Sequence, residues 1–167
     1  MDIDTTAGEA LADRLGAALA KDQTRPMFLQ TDLKDIEALK KGIVDVRTAF
    51  GPIAVLVNNA ANDKRHKIED VTPDFYDETI ATNIRHQFFA AQAVIDDMKK
   101  LNGGSIINLG SISWMLKNSN IPVYMTAKAG VQGMTRGLAR DLGKYNIRVN
   151  TRAQLGHDGK AKAPLAR

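Results

Sequence analysis

The stretch Ser105-Ile-Ile-Asn-Leu-Gly-Ser111-Ile-Ser113, followed by Pro122-Val-Tyr124-Met-Thr-Ala-Lys128-Ala-Gly, predicts the fold around it. Its apolar first part is typical of a buried β-strand that ends in small polar residues, and a helix begins shortly afterwards. Tyr124 and Lys128 are four residues apart, so both lie on one face of that helix. Because an ammonium group favours a neighbouring phenolate, we expect Lys128 to lower the pKa of Tyr124 towards the range of a general acid/base. A serine at the strand end can then hydrogen-bond the substrate oxygen whose proton moves.

Composition excludes several other kinds of site. The 167 residues suffice for one domain with a real core, and the absence of cysteine excludes disulfides, thiol nucleophiles and cysteine-based metal sites. The histidines His66, His86 and His157 lack the spacing of metal ligands, so we expect no metal. With 23 basic and 19 acidic residues and few aromatics, we expect no nucleic-acid partner. No signal peptide or membrane-spanning segment is visible, so the predicted location is cytoplasmic.

Strands and helices alternate along the chain. The recurrence of Leu11, Leu15 and Leu19 predicts a helix over residues 5–20, capped by Thr5 or Thr6. Further helices are predicted over residues 36–50, 73–101 and 123–142, and strands over residues 27–30, 53–57, 105–109 and 147–150. This alternation predicts an α/β fold with a doubly wound parallel sheet over residues 1–150. The polar, aperiodic residues 151–167 are predicted to be a disordered tail.

Four motifs at matching spacing make the chain resemble the short-chain dehydrogenase/reductase family. Asn58-Asn-Ala-Ala61 resembles the family's NNAG turn, and Asn83 in Ala81-Thr-Asn83 matches an asparagine that helps to hold a proton-relay water. Ser111 lies thirteen residues before Tyr124, which is the family's usual offset. The resemblance implies a Rossmann-like fold with Tyr124 as general acid/base and Lys128 as pKa depressor and ribose ligand. It also implies Ser111 as substrate anchor and Asn83 as relay support.

Three shorter stretches of the sequence resemble the bacterial NAD-dependent sugar 1-dehydrogenases of this family, of the galactose type. The matching stretches are residues 59–66, 84–91 and 109–116. The resemblance implies oxidation of an aldose at C1 to its lactone. Trp114 then either lines the sugar pocket or simply packs in the core. Asn62, Asp63 and His66 either contact sugar hydroxyls or belong to a solvated loop, and the solvated loop is the more common case.

The family also implies a nicotinamide cofactor, with NAD favoured over NADP. If the chain starts where the family's second strand ends, Asp2 accepts hydrogen bonds from the adenosine ribose and repels a 2′-phosphate, with Asp4 as the competing candidate. Asp32 is expected near the adenine. Asn59 and Ala60, in the NNAG-like turn, are expected to lie against the dinucleotide.

The family pattern is incomplete at both ends. The first two strands, the glycine-rich turn that binds pyrophosphate and the C-terminal strand have no counterpart here. Residues from Arg152 onward resemble no segment of the family, so the tail over residues 151–167 is expected to be either disordered or foreign to the family. We therefore expect the sheet to be split at its centre and NAD binding and turnover to be weak. The alternative is an inactive fragment or pseudoenzyme that acts through helix contacts, since the family suggests a homodimer or homotetramer.

Overall fold

A computed structural model describes residues 1–20 and 23–154. Within these ranges the helices and strands follow the predicted order, except that the predicted strand over residues 27–30 is missing and the predicted helix over residues 73–101 is divided. They are α1 (Thr5–Ala17), α2 (Ile36–Phe50), β1 (Val55–Asn58), α3 (Pro73–Ile80), α4 (His86–Lys100), β2 (Gly104–Ser111), α5 (Pro122–Leu142) and β3 (Ile147–Gln154). Short 3-10 turns cover Ile68–Asp70 and Gly143–Tyr145, and a π-helical turn covers Ala81–Arg85.

Side chains just before the helices fix where three of them begin. Asp4 accepts a hydrogen bond from the amide of Ala7 and caps α1, so the predicted caps Thr5 and Thr6 are wrong. Asp35 caps α2 in the same way, and Thr72 caps α3 with Pro73 in the first turn. A carboxylate or hydroxyl at this position satisfies amides that have no partner within the helix.

The three strands form one parallel sheet in the order β1-β2-β3. Pairing places Leu56, Ile106 and Val149 in one row and therefore on one face. That face is covered by α2, α4 and α5, whose buried side chains share one core with Ile106 and Val149. The sequence therefore predicted correctly an α/β, Rossmann-like fold with an incomplete sheet.

Val55 and Val57, the residues on either side of Leu56 in β1, lie on the opposite face of the sheet. Val55 and Val57 are 57% and 54% exposed, which is unusual for apolar residues of a parallel strand. In the described part of the chain, β1 pairs only with β2, so its other edge has free backbone groups. This agrees with the expectation that the sheet is split.

Other predicted boundaries need correction. Residues 27–30 do not form a strand, because only Gln30 pairs, in a single parallel bridge with Asp2. The predicted helix over residues 73–101 is two helices joined by the π-helical turn. Strand β3 continues to Gln154, so residues 151–154 pair with β2 and do not belong to a disordered tail. The rest of the predicted tail, residues 155–167, lies outside the described residues.

No helix in the described ranges has the length and apolar character needed to cross a membrane.

Candidate active site

Ser111, Tyr124 and Lys128 come together where β2 ends and α5 begins. Ser111 is the last residue of β2, and Tyr124 lies in the first turn of α5. Lys128 follows one turn later on the same helix face, and its Nζ lies 5.7 Å from the centre of the Tyr124 ring. The sequence spacing therefore predicted this grouping correctly.

Lys128 is the most deeply buried charged group of the site. The residue is 1% exposed, and its Nζ donates a 2.7 Å hydrogen bond to the carbonyl oxygen of Leu109 in β2. Burial lowers the pKa of Lys128 to about 8, because the charged ammonium loses its hydration. The strand carbonyl thus holds the ammonium group directly beneath the end of β2.

The expected lowering of the Tyr124 pKa by Lys128 is not found. Burial of the half-buried phenol raises the pKa of Tyr124, and the Ser111 hydroxyl opposes this change to a smaller extent. The charges of Asp63, which raises this pKa, and Arg65, which lowers it, also act on the phenol. In this structure the Lys128 ammonium is directed to a backbone carbonyl, so desolvation dominates at Tyr124.

Ser113 orients Ser111 and was not singled out in the sequence. The Ser111 hydroxyl donates to Oγ of Ser113 at 2.9 Å and accepts from the Ser113 amide at 3.1 Å. Ser113 is buried. A second serine two residues after the first was the only sequence signal for this contact.

Asn83 lies in the π-helical turn and is completely buried. Its side chain accepts from the Asn62 amide at 2.9 Å and donates to the carbonyl oxygens of Asn62 at 3.0 Å and Thr79 at 2.9 Å. The turn packs against α5 where Gly130 lies, since a Cβ there would be 2.9 Å from Ile84. Asn83 therefore fastens the loop after β1, and π-helical turns of this kind are common at functional sites.

A chain of polar side chains, three of them buried and one half-buried, crosses the sheet below the site. Asn58 donates to Asn108 at 2.9 Å, Asn108 donates to Thr135 at 3.0 Å, and Thr151 donates to Thr135 at 2.7 Å. We call Asn58, Asn108, Thr135 and Thr151 the polar chain. It links β1, β2, α5 and β3, and Asn58 also donates to the Gln87 carbonyl of α4 at 3.3 Å. An asparagine within the apolar run of β2 was the signal that could have revealed it.

Three of the predicted cofactor residues line one cavity of about 300 Å³ beside β1. Asp2, Asn59 and Ala60 contribute to its wall, together with His86 and apolar side chains of α2 and α4. Asp32 does not line it: this exposed side chain accepts a hydrogen bond from the Lys34 amide at 2.9 Å. His86 is 1% exposed, and its Nε2 has no hydrogen-bond partner among the described residues. The sequence pattern indicated no role for His86 beyond the excluded one of metal ligand.

The site fits a nicotinamide dinucleotide in part. The Asp2 carboxylate at the cavity wall can accept hydrogen bonds from ribose hydroxyls. Ser111, Tyr124 and Lys128 do not line this cavity, so the structure does not bring the other two predicted cofactor residues, Tyr124 and Lys128, to it. The cavity is smaller than a whole dinucleotide, and no glycine lines it to bring a backbone close to pyrophosphate. Within the described residues, no group of three or more acidic or histidine side chains could hold a metal ion.

Trp114 lies in the segment between β2 and α5 and is half-buried. Its indole N–H is buried and makes no hydrogen bond to the described residues.

Comparison with known proteins places the chain in one family. The sequence matches the short chain dehydrogenase family over residues 1–157. It is 49% identical to a D-xylose 1-dehydrogenase of Caulobacter vibrioides (strain NA1000 / CB15N), with 81% of this chain and 53% of that protein aligned. It is 42% identical to the probable galactose dehydrogenase GalD of Rhizobium meliloti (strain 1021), with 90% of this chain and 57% of that protein aligned.

A solved structure shows the same fold. The crystal structure of a putative short-chain alcohol dehydrogenase from Sinorhizobium meliloti 1021 superposes with a TM-score of 0.79 at 34% sequence identity. The match covers 87% of this chain and 57% of that one. The chain thus spans little more than half the length of these relatives.

Proposed function

Because the chain belongs to the short chain dehydrogenase family, we propose that it acts as an oxidoreductase that moves a hydride between a nicotinamide cofactor and an aldose. The substrate would be oxidised at C1 to its lactone. The names of the relatives, a D-xylose 1-dehydrogenase and a probable galactose dehydrogenase, support a sugar as the substrate.

One observation carries the proposal. The hydroxyls of Ser111 and Tyr124 and the ammonium of Lys128 converge at the carboxyl end of β2, the edge at which parallel α/β sheets bind their ligands. A lysine at 1% exposure is costly unless its position serves a purpose. A purely structural helix would not require this lysine.

Tyr124 would take the proton of the C1 hydroxyl. Because burial raises its pKa, the phenol is protonated at rest, and proton removal requires positive charge near the phenolate. Lys128 can supply that charge if its Nζ turns from the Leu109 carbonyl towards the phenol. Ser111, still held by the Ser113 amide, would turn its hydroxyl proton from Ser113 Oγ to the sugar oxygen. Asn83 would support the proton relay by fixing the loop at Asn62. The bound cofactor supplies the hydride acceptor.

The finer assignments are part of the proposal. We infer NAD rather than NADP, because the Asp2 carboxylate at the cavity wall would repel a 2′-phosphate. Trp114 would form one side of the sugar pocket. We expect the protein to form a homodimer or homotetramer and to be located in the cytoplasm.

The test is NADH formation by the purified chain with D-xylose or D-galactose. We expect slow turnover that Tyr124→Phe reduces by at least about a hundredfold, the size of a lost general base. Tyr76→Phe is the matched control, because Tyr76 is an exposed tyrosine on α3 and should leave the rate unchanged.

Equal rates in the wild type and the Tyr124→Phe variant would refute this mechanism. If the folded chain forms no NADH at all, the alternative of an inactive fragment that acts through helix contacts would replace it.

A further inference from the structure

Two loops meet just before α5, the helix that carries Tyr124, and are tied together by hydrogen bonds. The amide of His66, after β1, donates to the Asn120 carbonyl at 2.9 Å. Arg65 Nη1 donates to the Ser119 carbonyl at 3.1 Å. We call residues 62–66 and 119–120 the clasp. It joins the loops that leave the carboxyl ends of β1 and β2, the edge of the sheet at which the proposed reaction centre lies.

The clasp is held at its other end by Asn83. Both the amide and the carbonyl of Asn62 bond to the Asn83 side chain, at 2.9 and 3.0 Å. Asn62 Oδ1 accepts from the Lys64 amide at 3.0 Å, and the His66 ring packs edge-on against Phe75 with centroids 4.7 Å apart. Asn62 and His66, two of the loop residues considered above for sugar contacts, are therefore used to fix the loop.

The Asp63 carboxylate and the part of the Arg65 guanidinium that is not bonded to Ser119 remain available to bind a ligand. The Asp63 carboxylate accepts no hydrogen bond from the described residues, and its nearest oxygen is 3.8 Å from Nη2 of Arg65, beyond hydrogen-bond distance. Their side chains are 64% and 45% exposed, although the backbone between Asn62 and His66 is anchored on both sides. The bonds from Arg65 to Ser119 and from His66 to Asn120 hold this loop against residues four and five positions before Tyr124. The charges of both groups also act on the Tyr124 phenol.

A carboxylate and a guanidinium on a fixed loop suit a ligand that carries several hydroxyl groups. The carboxylate can accept hydrogen bonds from two neighbouring hydroxyls, and the guanidinium can donate to their oxygens in a fork of fixed geometry. An alcohol with one hydroxyl, held by Ser111 and Tyr124, has no further group for them to bind. We propose that Asp63 and Arg65 bind the hydroxyls of the aldose away from C1 and so select a sugar over a simple alcohol. This inference rests on the proposed function and assigns the substrate contacts within that site.

The test measures sugar binding directly, so that it does not depend on turnover. The affinity of the purified chain for D-xylose and D-galactose is titrated by ligand-observed NMR for the wild type, Asp63→Asn and Arg65→Gln. Asp63→Asn keeps the shape and removes only the charge, and Asp70→Asn is its matched control on the exposed 3-10 turn of the same loop. We expect Asp63→Asn to weaken binding about tenfold, as for loss of one charged hydrogen bond, and Asp70→Asn to stay within about twofold.

Urea unfolding of each variant checks that the fold is kept. Asp63→Asn is the deciding variant, because Arg65→Gln also removes the bond to the Ser119 carbonyl. Unchanged affinity in Asp63→Asn, or no saturable sugar binding by the wild type, would overturn the inference. NADH formation with an unchanged sugar affinity in Asp63→Asn would overturn it and leave the oxidoreductase proposal intact. Binding that depends on Asp63 without any NADH formation would support the inference and overturn the oxidoreductase proposal.

Discussion

Replacement of Asn108 by alanine should destabilise the fold more than any single loss of a surface contact. Asn108 is fully buried and makes two hydrogen bonds of the polar chain, at 2.9 Å from Asn58 and at 3.0 Å to Thr135. Each such bond contributes about 1 kcal/mol net, and the Asn58 N–H left without its acceptor costs a further ~1–3 kcal/mol. We therefore expect Asn108→Ala to lower the free energy of unfolding by about 3–5 kcal/mol.

Urea unfolding followed by circular dichroism measures this change, with the melting temperature as a second readout. For a domain of this size the loss corresponds to a fall in Tm of roughly 10 °C. Asn150→Ala is the matched control, because Asn150 is an exposed asparagine on β3 and should cost less than about 0.5 kcal/mol.

A double-mutant cycle with Thr135→Val tests whether the polar chain acts as a unit. Thr135 Oγ1 accepts from both Asn108 and Thr151, so the double variant should lose less than the two single variants together. If Asn108→Ala is no more destabilising than Asn150→Ala, or if the two single losses simply add, the polar chain does not hold the sheet in the way argued here.

Three further predictions concern other buried groups. Arg47→Met should lower the free energy of unfolding by about 3 kcal/mol, measured in urea, because Nε of Arg47 contacts both carboxylate oxygens of the buried Asp97 at 2.8 Å; a loss below ~1 kcal/mol would contradict this. Gly104→Ala should cost about 1–3 kcal/mol, because its Cβ would overlap the buried Met98 side chain, and an unchanged melting curve would show that Met98 has room to move. Burial lowers the pKa of His86 to about 4 from the usual 6.5, so the unfolded chain takes up a proton that the folded chain does not, and stability should fall between pH 6.5 and 4. In the His86→Met variant, the free energy of unfolding should fall by up to about 3 kcal/mol less over this pH range. Equal pH profiles of stability for the two proteins would refute the assignment of this fall to His86.

The sequence by itself determined the features that depend on local periodicity and spacing. The positions of α2, β2 and α5 follow from apolar stripes and runs, because burial of one face or of both faces imposes those periods. The four-residue spacing of Tyr124 and Lys128 was enough to place them on one helix face, and the strand end brought Ser111 to them. The incomplete sheet was predicted from the family resemblance, because the family's first two strands and glycine-rich turn have no counterpart in the sequence.

Only the tertiary structure decided what these groups touch. Lys128 donates to a strand carbonyl and leaves burial to set the pKa of Tyr124, which no spacing rule could show. Thr151, assigned from its sequence to a disordered tail, closes the polar chain, because strand pairing brings it beside Asn108. Asn83 and Asn62 are also far apart in sequence, yet their hydrogen bonds fix the clasp that holds Asp63 and Arg65 near the phenol. Electrostatics and hydrogen bonding depend on distances across the fold, and a linear pattern does not contain those distances.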